Sequence, residues 1–280
     1  MLGGVEHATP GIALILAIVL YCVIHYIRKA RAGKEIYVRR VPGIDAIDEA
    51  VGRTAELGRP LSFSTGLSDV GPVLYACLGV LFYVARKAAQ YKSKLFVPQY
   101  SPEAMAIVED TVRDSYRSAG KSSNFDPQSI VFLSSDQFAF ASGYMGLVHR
   151  EKVASTFLFG TFYGEALVLA EAGQQVGAMQ IAACINPEQV PFFICTCDYT
   201  LIGEELFASS AYLSREPVQL GSLAGQDRAK LLFMIFIIVG VGIATFNSIF
   251  PASAIPNIEY YVFDGQWMID GLKAVFGGQS

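Results

Sequence analysis

Residues 95–118 read LFVPQYSPEAMAIVEDTVRDSYRS, a β-rich run followed at once by a helix start. The short apolar run 95–97 predicts a buried strand. A helix start follows, in which the Ser101 hydroxyl can cap the helix and Pro102 is a first helical residue that needs no partner for an amide N–H. Glu103 is an acid in the first turn, where the helix dipole favours negative charge. The stretch therefore predicts a strand joined to an amphipathic helix, whose apolar face holds Met105, Val108, Val112 and Tyr116.

The same alternation of strands and helices extends over residues 35–213. It is typical of an α/β domain with a mostly parallel sheet and helices on both faces. One connection differs: Asn186-Pro187-Glu188 leaves no room for a crossover helix, so 177–185 and 190–197 are predicted to pair as antiparallel strands. The other predicted strands are 35–41, 61–64, 95–97, 130–133 and 153–159, and the predicted helices with their caps are 44–57, 68–91, 101–116, 134–148, 165–172 and 202–213.

Two apolar runs without Asp, Glu, Lys or Arg flank this domain. Residues 11–27 read GIALILAIVLYCVIHYI, and residues 231–250 read LLFMIFIIVGVGIATFNSIF. About 20 apolar helical residues cross a bilayer core, so we predict one transmembrane helix near each end; two buried helices of a soluble protein are the alternative. The predicted layout is a far-side N-terminus (1–10), a first span (11–27), a cytoplasmic α/β domain (28–230), a second span (231–250) and a far-side tail with a short interfacial helix (251–280).

The flanking charges predict the orientation. Lys and Arg lie on the domain side of both runs: Arg28, Lys29, Arg31 and Lys34 follow the first, and Arg228 and Lys230 precede the second. By the positive-inside rule the domain is expected in the cytoplasm at the inner membrane, with both termini on the far side. The basic residues are expected to contact anionic membrane lipid.

A third uncharged run, VGPVLYACLGVLFYVA at 70–85, lies between two predicted strands. A helix that is apolar all round is either buried in a domain or laid against a bilayer or another subunit. A third span is the remaining interpretation. We expect a helix of the domain, because a further crossing would place Arg228 on the wrong side of the membrane.

Composition and motifs exclude several function classes. A net charge of −4 argues against nucleic acid as a partner. The chain has no phosphate-binding loop, dinucleotide motif, HExxH or GxSxG, so we predict no cofactor and no metal, and the catalytic residues, if any, are unknown. The five cysteines are expected to be buried thiols, with Cys195 and Cys197 on one face of a strand. His149 is expected on the surface at a helix end.

Five polar residues in apolar surroundings are candidate ligand-binding residues. Ligands of open α/β sheets bind beyond the carboxyl ends of strands, and a crevice there is the functional interpretation. The structural interpretation is that the same side chains cap helices. The candidates are Thr65, Asp136 and Asp198, which follow predicted strands, and Glu165 and Glu204, which lie in first turns of helices.

Three stretches carry a family resemblance: GIDAIDEAVGRTAELGRP (43–60), SSDQFAFASG (134–143) and CDYTLIGEELFASSAYLSREP (197–217) followed by LGSLAGQD (220–227). They resemble an uncharacterised bacterial membrane-protein family, domain of unknown function 6754. The resemblance covers the domain and the second apolar run. It implies the same membrane topology, and no catalytic residues are carried over.

The leading functional hypothesis is a non-enzymatic scaffold anchored in the membrane, whose copies associate with one another. The absence of catalytic signatures and the abundance of apolar residues, 52% of the chain, favour it. A membrane-bound enzyme or small-molecule sensor with a site at the strand ends is the first alternative. An accessory subunit of a larger membrane complex is the second.

Overall fold

The computed structural model of the protein describes residues 10–33, 42–214 and 217–249. The described residues form two compact units: 10–33 with 217–249, and 42–214. The predicted strand 35–41 and the predicted interfacial helix within 251–280 lie outside the described residues.

The unit of residues 42–214 contains a six-stranded sheet in which every neighbouring pair is parallel, which confirms the α/β prediction. The strand order is β3-β2-β1-β4-β5-β6. The strands are β1 (Leu61–Gly66), β2 (Leu95–Gln99), β3 (Ile130–Phe132), β4 (Ser155–Thr161), β5 (Met179–Cys184) and β6 (Tyr199–Ile202). The helices of both units are α1 (Pro10–Arg31), α2 (Pro42–Leu57), α3 (Pro72–Tyr91), α4 (Pro102–Ser118), α5 (Gln137–Glu151), α6 (Ala166–Gln175), α7 (Val190–Thr196), α8 (Glu205–Ser214) and α9 (Pro217–Ile249).

The predicted antiparallel pair is wrong. Residues 190–196 form the short helix α7, which crosses over so that β6 pairs with β5 in parallel, with Ile181 opposite Tyr199. Pro191 lies in the first turn of α7, where no amide donor is required. The prediction failed because a short apolar run has the same composition in a strand as in a buried helix. It also lengthened the last helix, since β6 occupies 199–202 and α8 begins at Glu205.

Alternate strand residues supply two cores on opposite faces of the sheet. Phe157 and Phe159 of β4 belong to the core under α2, α3, α4 and α8, whereas Leu158 belongs to the core under α5, α6 and α7. Phe63 of β1 stacks on Phe159 with ring centroids 5.6 Å apart. Helices therefore cover both faces, as the sequence predicted.

The uncharged run 70–85 forms most of α3, a core helix of the domain. Leu74, Leu81 and Val84 are fully buried, and half of the most apolar window of α3 is buried. Neither Ser68 nor Asp69 caps this helix, because its N-cap is Gly71. The Ser68 hydroxyl instead accepts a hydrogen bond from the backbone N–H of Thr161 at 2.9 Å.

The helices α1 and α9 pack antiparallel in the other unit. A Cβ atom added to Gly221 would lie 2.6 Å from the Cα of Ile27, and one added to Gly225 would lie 2.6 Å from the Cα of Val23. The two glycines form a GxxxG motif, which lets two helix backbones approach closely. Gly240 and Gly242 lie further along α9, and nothing lies within 4 Å of a Cβ built at either position.

Thiol labelling tests the helical conformation of residues 190–196. Cys195 is exposed, which corrects the expectation of a buried thiol, whereas Cys197 packs against the second core and its burial raises its pKa to about 12. Since the thiolate is the reactive form, a maleimide or iodoacetamide at pH 8 should modify Cys195 well before Cys197. Peptide mass spectrometry measures both rates, with Cys195→Ser as the control. Equal rates, as expected for one face of a strand, would contradict the helix.

Two helix glycines give a matched test of the packing. A Cβ on Gly173 of α6 would lie 2.6 Å from the Cδ of Gln180, whereas one on Gly52 of α2 meets nothing within 4 Å. The sequence predicted that α6 ends at Gly173, but the helix continues to Gln175. The close contact with Gln180 gives a reason for a glycine at this position other than a helix stop. Gly173→Ala should lower the free energy of unfolding by about 1–3 kcal/mol, whereas Gly52→Ala should raise it by about 0.5–1 kcal/mol. Denaturant unfolding compares the two; equal effects would refute the close contact.

Candidate functional site

The carboxyl ends of the six strands meet at one edge of the sheet. The strand order places a topological switch point between β1 and β4, which is where open α/β sheets bind ligands. We call the loops and first helical turns after the strands the carboxyl edge (67–75, 100–105, 133–140, 162–169, 185–193 and 203–208). The segments before the strands are the amino edge (58–60, 92–94, 119–129, 152–154, 176–178 and 197–198).

The switch point is bridged by direct contacts between the ends of β1 and β4. Leu67 N–H donates to the Thr161 carbonyl at 2.9 Å. Gly66 and Gly160 both have positive φ values, 60° and 157°, and a Cβ on Gly160 would lie 2.7 Å from the Ser68 hydroxyl oxygen. Glycine is required at both positions. The Leu67 N–H follows β1, where a dinucleotide-binding fold presents backbone amides to a phosphate, and here it joins the two strands instead.

Thr65 is buried beside the switch point, and its side chain hydrogen-bonds to a residue of the neighbouring strand β2. Its hydroxyl donates to the Gln99 Oε1 at 3.2 Å, and the Gln99 amide donates to the Pro98 carbonyl at 3.1 Å. Both side chains have essentially no exposed surface. Thr65 therefore links β1 to β2 from within the sheet.

Glu165 is the most unusual of the candidate residues, because its carboxylate is completely buried. One oxygen accepts from the Gln137 amide at 2.6 Å, and the other accepts from the Tyr163 N–H at 3.0 Å. Asn186 lies on the neighbouring loop and donates to the Phe162 carbonyl at 2.6 Å. These contacts tie together the segments that follow β4 and β5 and the start of α5.

Asp136 and Glu204 are also at the carboxyl edge, but both are exposed. Asp136 is the N-cap of α5 and accepts from the Ala139 N–H at 2.9 Å, which fits the structural interpretation. Glu204 lies in the turn between β6 and α8, and its neighbour Glu205 accepts from the Ile202 N–H at 3.0 Å.

Asp198 lies at the opposite edge of the sheet from the other four candidates. The residues before it form α7 rather than a strand, so Asp198 precedes β6 at the amino edge. Its carboxylate accepts from the Gln180 N–H at 2.7 Å. The expected crevice shared by Asp198, Thr65 and Asp136 is therefore not formed.

A row of buried polar side chains crosses the sheet and was missed by sequence reasoning. Ser62, Thr156 and Gln180 occupy paired positions on β1, β4 and β5. Gln180 accepts from the Thr156 hydroxyl at 3.1 Å and donates to the carbonyls of Ala170 and Thr196. The available signal was a glutamine within the apolar strand MQIAAC.

Tyr144 of α5 lies over this row. Burial raises the pKa of its phenol, and the neighbouring hydroxyls of Ser62 and Thr156 offset this only in part. Among the described residues, neither the Tyr144 hydroxyl nor the Ser62 hydroxyl has a hydrogen-bond partner of normal geometry. The row is enclosed by α5 and α6, so it reinforces the centre of the domain rather than opening to a ligand.

A recess of about 330 Å³ opens at the amino edge. Leu95, Tyr116, Lys92, Lys94 and Asn124 are among the residues that line it. In the part of the chain that the structure describes, no three His, Cys, Asp or Glu side chains are grouped as metal ligands.

Residues 6–255 match a family described as Domain of unknown function (DUF6754). The chain belongs to this family. No curated protein and no solved structure matches the chain. The family match confirms the resemblance found in the three sequence stretches, and it assigns no activity to any residue of the site.

The structural role of Glu165 can be tested by its removal. Glu165→Ala removes a fully buried side chain and the acceptor of two part-buried hydrogen bonds, from the Gln137 amide and the Tyr163 N–H, so the free energy of unfolding should fall by about 1–3 kcal/mol. Asp136→Ala removes an exposed cap and should cost about 1 kcal/mol. Thermal or denaturant unfolding compares the two variants. A Glu165→Ala protein as stable as wild type would show that the carboxylate is retained for binding rather than for folding.

Proposed function

We propose that this protein is a scaffold anchored in a membrane, in which α1 and α9 hold the α/β domain at the cytoplasmic surface and copies of the chain associate. The observation that carries the proposal is the exposure of α9. Residues 217–246 are long and apolar enough to cross a bilayer, and only 6% of their most apolar window is buried. Such a surface requires lipid or another chain to cover it.

Two helices of the described chain pass the length and composition test for a span, and they differ in burial. α3 is the other, and half of its apolar window is buried within the domain. A core helix of a soluble protein passes the same test, so α3 supports no membrane contact. Within the described residues, by contrast, every side chain of Met234–Val239 in α9 is exposed.

Among the described residues, the register of α1 against α9 leaves the distal part of α9 without a partner helix. Val23 lies opposite Gly225, so extension of the antiparallel pairing brings Pro10, the first described residue of α1, level with about Ile238. Residues 239–249 continue about 16 Å beyond that level. In the proposed arrangement this segment meets lipid and neighbouring copies, whereas α1 lies alongside about the first two-thirds of α9.

The charges around the helix pair support the orientation. Arg28, Lys29 and Arg31 lie in the last turn of α1, and Arg228 and Lys230 lie in the first half of α9. In the antiparallel register given above, Arg228 and Lys230 lie level with Leu20 and Ile18, about 12–15 Å along the pair from the level of Arg28. All five basic residues still lie in the half of the pair where α9 begins, so the positive charge is concentrated toward one side. The positive-inside rule then assigns that side, and the domain with it, to the cytoplasm, with both termini across the inner membrane.

The polar groups at the strand ends favour a scaffold over an enzyme. Thr65, Glu165 and Asp198 each hydrogen-bond to a partner within the domain, and Asp136 caps a helix. Each of them therefore has a structural role that accounts for its presence. A small-molecule sensor is the second candidate, favoured by the fully buried carboxylate of Glu165 at the carboxyl edge.

Alkaline extraction and crosslinking in the membrane test the scaffold. The full chain should stay in the membrane at pH 11, and a lysine crosslinker should give multimers of this chain alone. Release into the supernatant would refute the anchor, and only monomers would refute self-association. Multimers that contain other proteins would instead identify an accessory subunit, and a ligand that raises the melting temperature of a monomer would identify the sensor.

Two glycine substitutions test the helix pair. Gly225→Leu places a side chain where the backbone of α1 lies, so it should separate the helices, whereas Gly242→Leu enters open space. Hydrogen exchange by mass spectrometry should show faster exchange of residues 19–31 in the Gly225 variant. The Gly242 variant should match wild type. Equal exchange in both variants would contradict the pairing.

A further inference from the structure

The two edges of the sheet carry opposite charge. The carboxyl-edge loops, all of which the structure describes, contain no Lys or Arg. Besides the buried Glu165 they carry six acids: Asp69, Glu103, Asp136, Glu188, Glu204 and Glu205.

The amino edge has an excess of positive charge. Its five basic residues are Arg59, Lys92, Lys94, Lys121 and Lys152. Its two acids, Asp126 and Asp198, both accept hydrogen bonds from nearby backbone amides, those of Gln128 and of Gln180 in β5. The four lysines are exposed and have no acidic partner at this edge.

The carboxyl edge also exposes large apolar side chains. Phe138 is 64% exposed and Tyr75 is 58% exposed. Acids are stabilising near helix N-termini because of the helix dipole, and this accounts for part of the negative charge of the carboxyl edge. The dipole does not explain why aromatic rings are exposed there. Apolar groups gathered within a polar surface mark an interaction site, and here they are Val70, Tyr75, Phe138, Tyr163, Leu167, Phe192 and Phe207.

The amino edge is the chemical complement of this surface. Its recess of about 330 Å³ is lined by the apolar Ala89, Leu95 and Tyr116, by Lys92 and Lys94, and by polar residues that include Asp126. An aromatic ring with an acid two residues away, such as Phe138 with Asp136, could place the ring against the apolar lining and the carboxylate beside the lysines. The sheet has six strands about 4.8 Å apart, and a helix layer lies about 10 Å from each of its faces, so the end of the three-layer domain has an area of roughly 800 Å². A stable interface buries about that much surface on each partner.

We infer that the carboxyl edge of one copy docks on the amino edge of the next. The contact is heterologous, so it joins copies head to tail and generates rings or open chains. This inference rests on the proposed scaffold function and gives it a specific interface. The partner is a second copy of this chain, because both complementary surfaces belong to the same domain.

Charge reversal at one edge at a time tests the contact. The carboxyl-edge variant is Asp69→Lys with Glu188→Lys, and the amino-edge variant is Lys94→Glu with Lys121→Glu. All four side chains are exposed, and Glu49→Lys with Glu171→Lys on the outer faces of α2 and α6 is the matched control. Sedimentation of the full chain in detergent measures the association.

Each edge variant alone should weaken association at least tenfold, and the control should behave as wild type. Mixing the two edge variants should restore association, because the basic amino edge of one still meets the acidic carboxyl edge of the other. Phe138→Ser should also weaken association, whereas Met145→Ser on the flank of α5 should not. Circular dichroism confirms that each variant is folded.

Three results would overturn the contact. Edge variants that associate like wild type would exclude both edges. An amino-edge variant that keeps full association while the carboxyl-edge variant loses it would indicate an isologous contact between carboxyl edges. A mixture that remains dissociated would exclude complementarity. A wild-type protein that is monomeric would refute the scaffold itself, so failure of the proposed function is distinguished from failure of this contact.

Discussion

The parallel pairing of β1 with β4 is the contact on which the rest of the domain depends. These strands are neighbours in the sheet, yet β2, β3 and three helices separate them in the chain. Gly66 and Gly160 allow their ends to meet without a Cβ between them. Since all six strands then run in one direction, helix N-termini gather at the carboxyl edge and C-termini at the amino edge. Acids and lysines that suit those helix ends produce two oppositely charged surfaces.

Local patterns predicted most of the fold. Ser101 caps α4 as expected, accepting from the Ala104 N–H at 3.4 Å, because a cap depends only on its immediate neighbours. The error at 190–197 has the opposite origin. Whether that run forms α7 or a strand depends on the face of the sheet against which Phe193 is buried, and this is not encoded within the run. The position of Asp198 was wrong for the same reason, since it was inferred from the end of a strand that does not exist.

The candidate site was predictable residue by residue but not as an arrangement. Glu165 was recognisable as an acid in apolar surroundings, whereas its partner Gln137 is 28 residues away and gave no signal. The GxxxG contact of α9 lies before its apolar run, and its partner residues, Val23 and Ile27, are about 200 residues away in the chain. Pairing with α1 is a long-range property, and so is the segregation of charge between the two edges, which appears only when six separate loops are brought together.

The central claim is that the chain is a membrane-anchored domain that assembles with copies of itself. The most direct test is the mass of the full-length protein, gently extracted in detergent and measured by native mass spectrometry together with whatever accompanies it. The account predicts a multimer of this chain that carries bound lipid. A monomer released without lipid would contradict it.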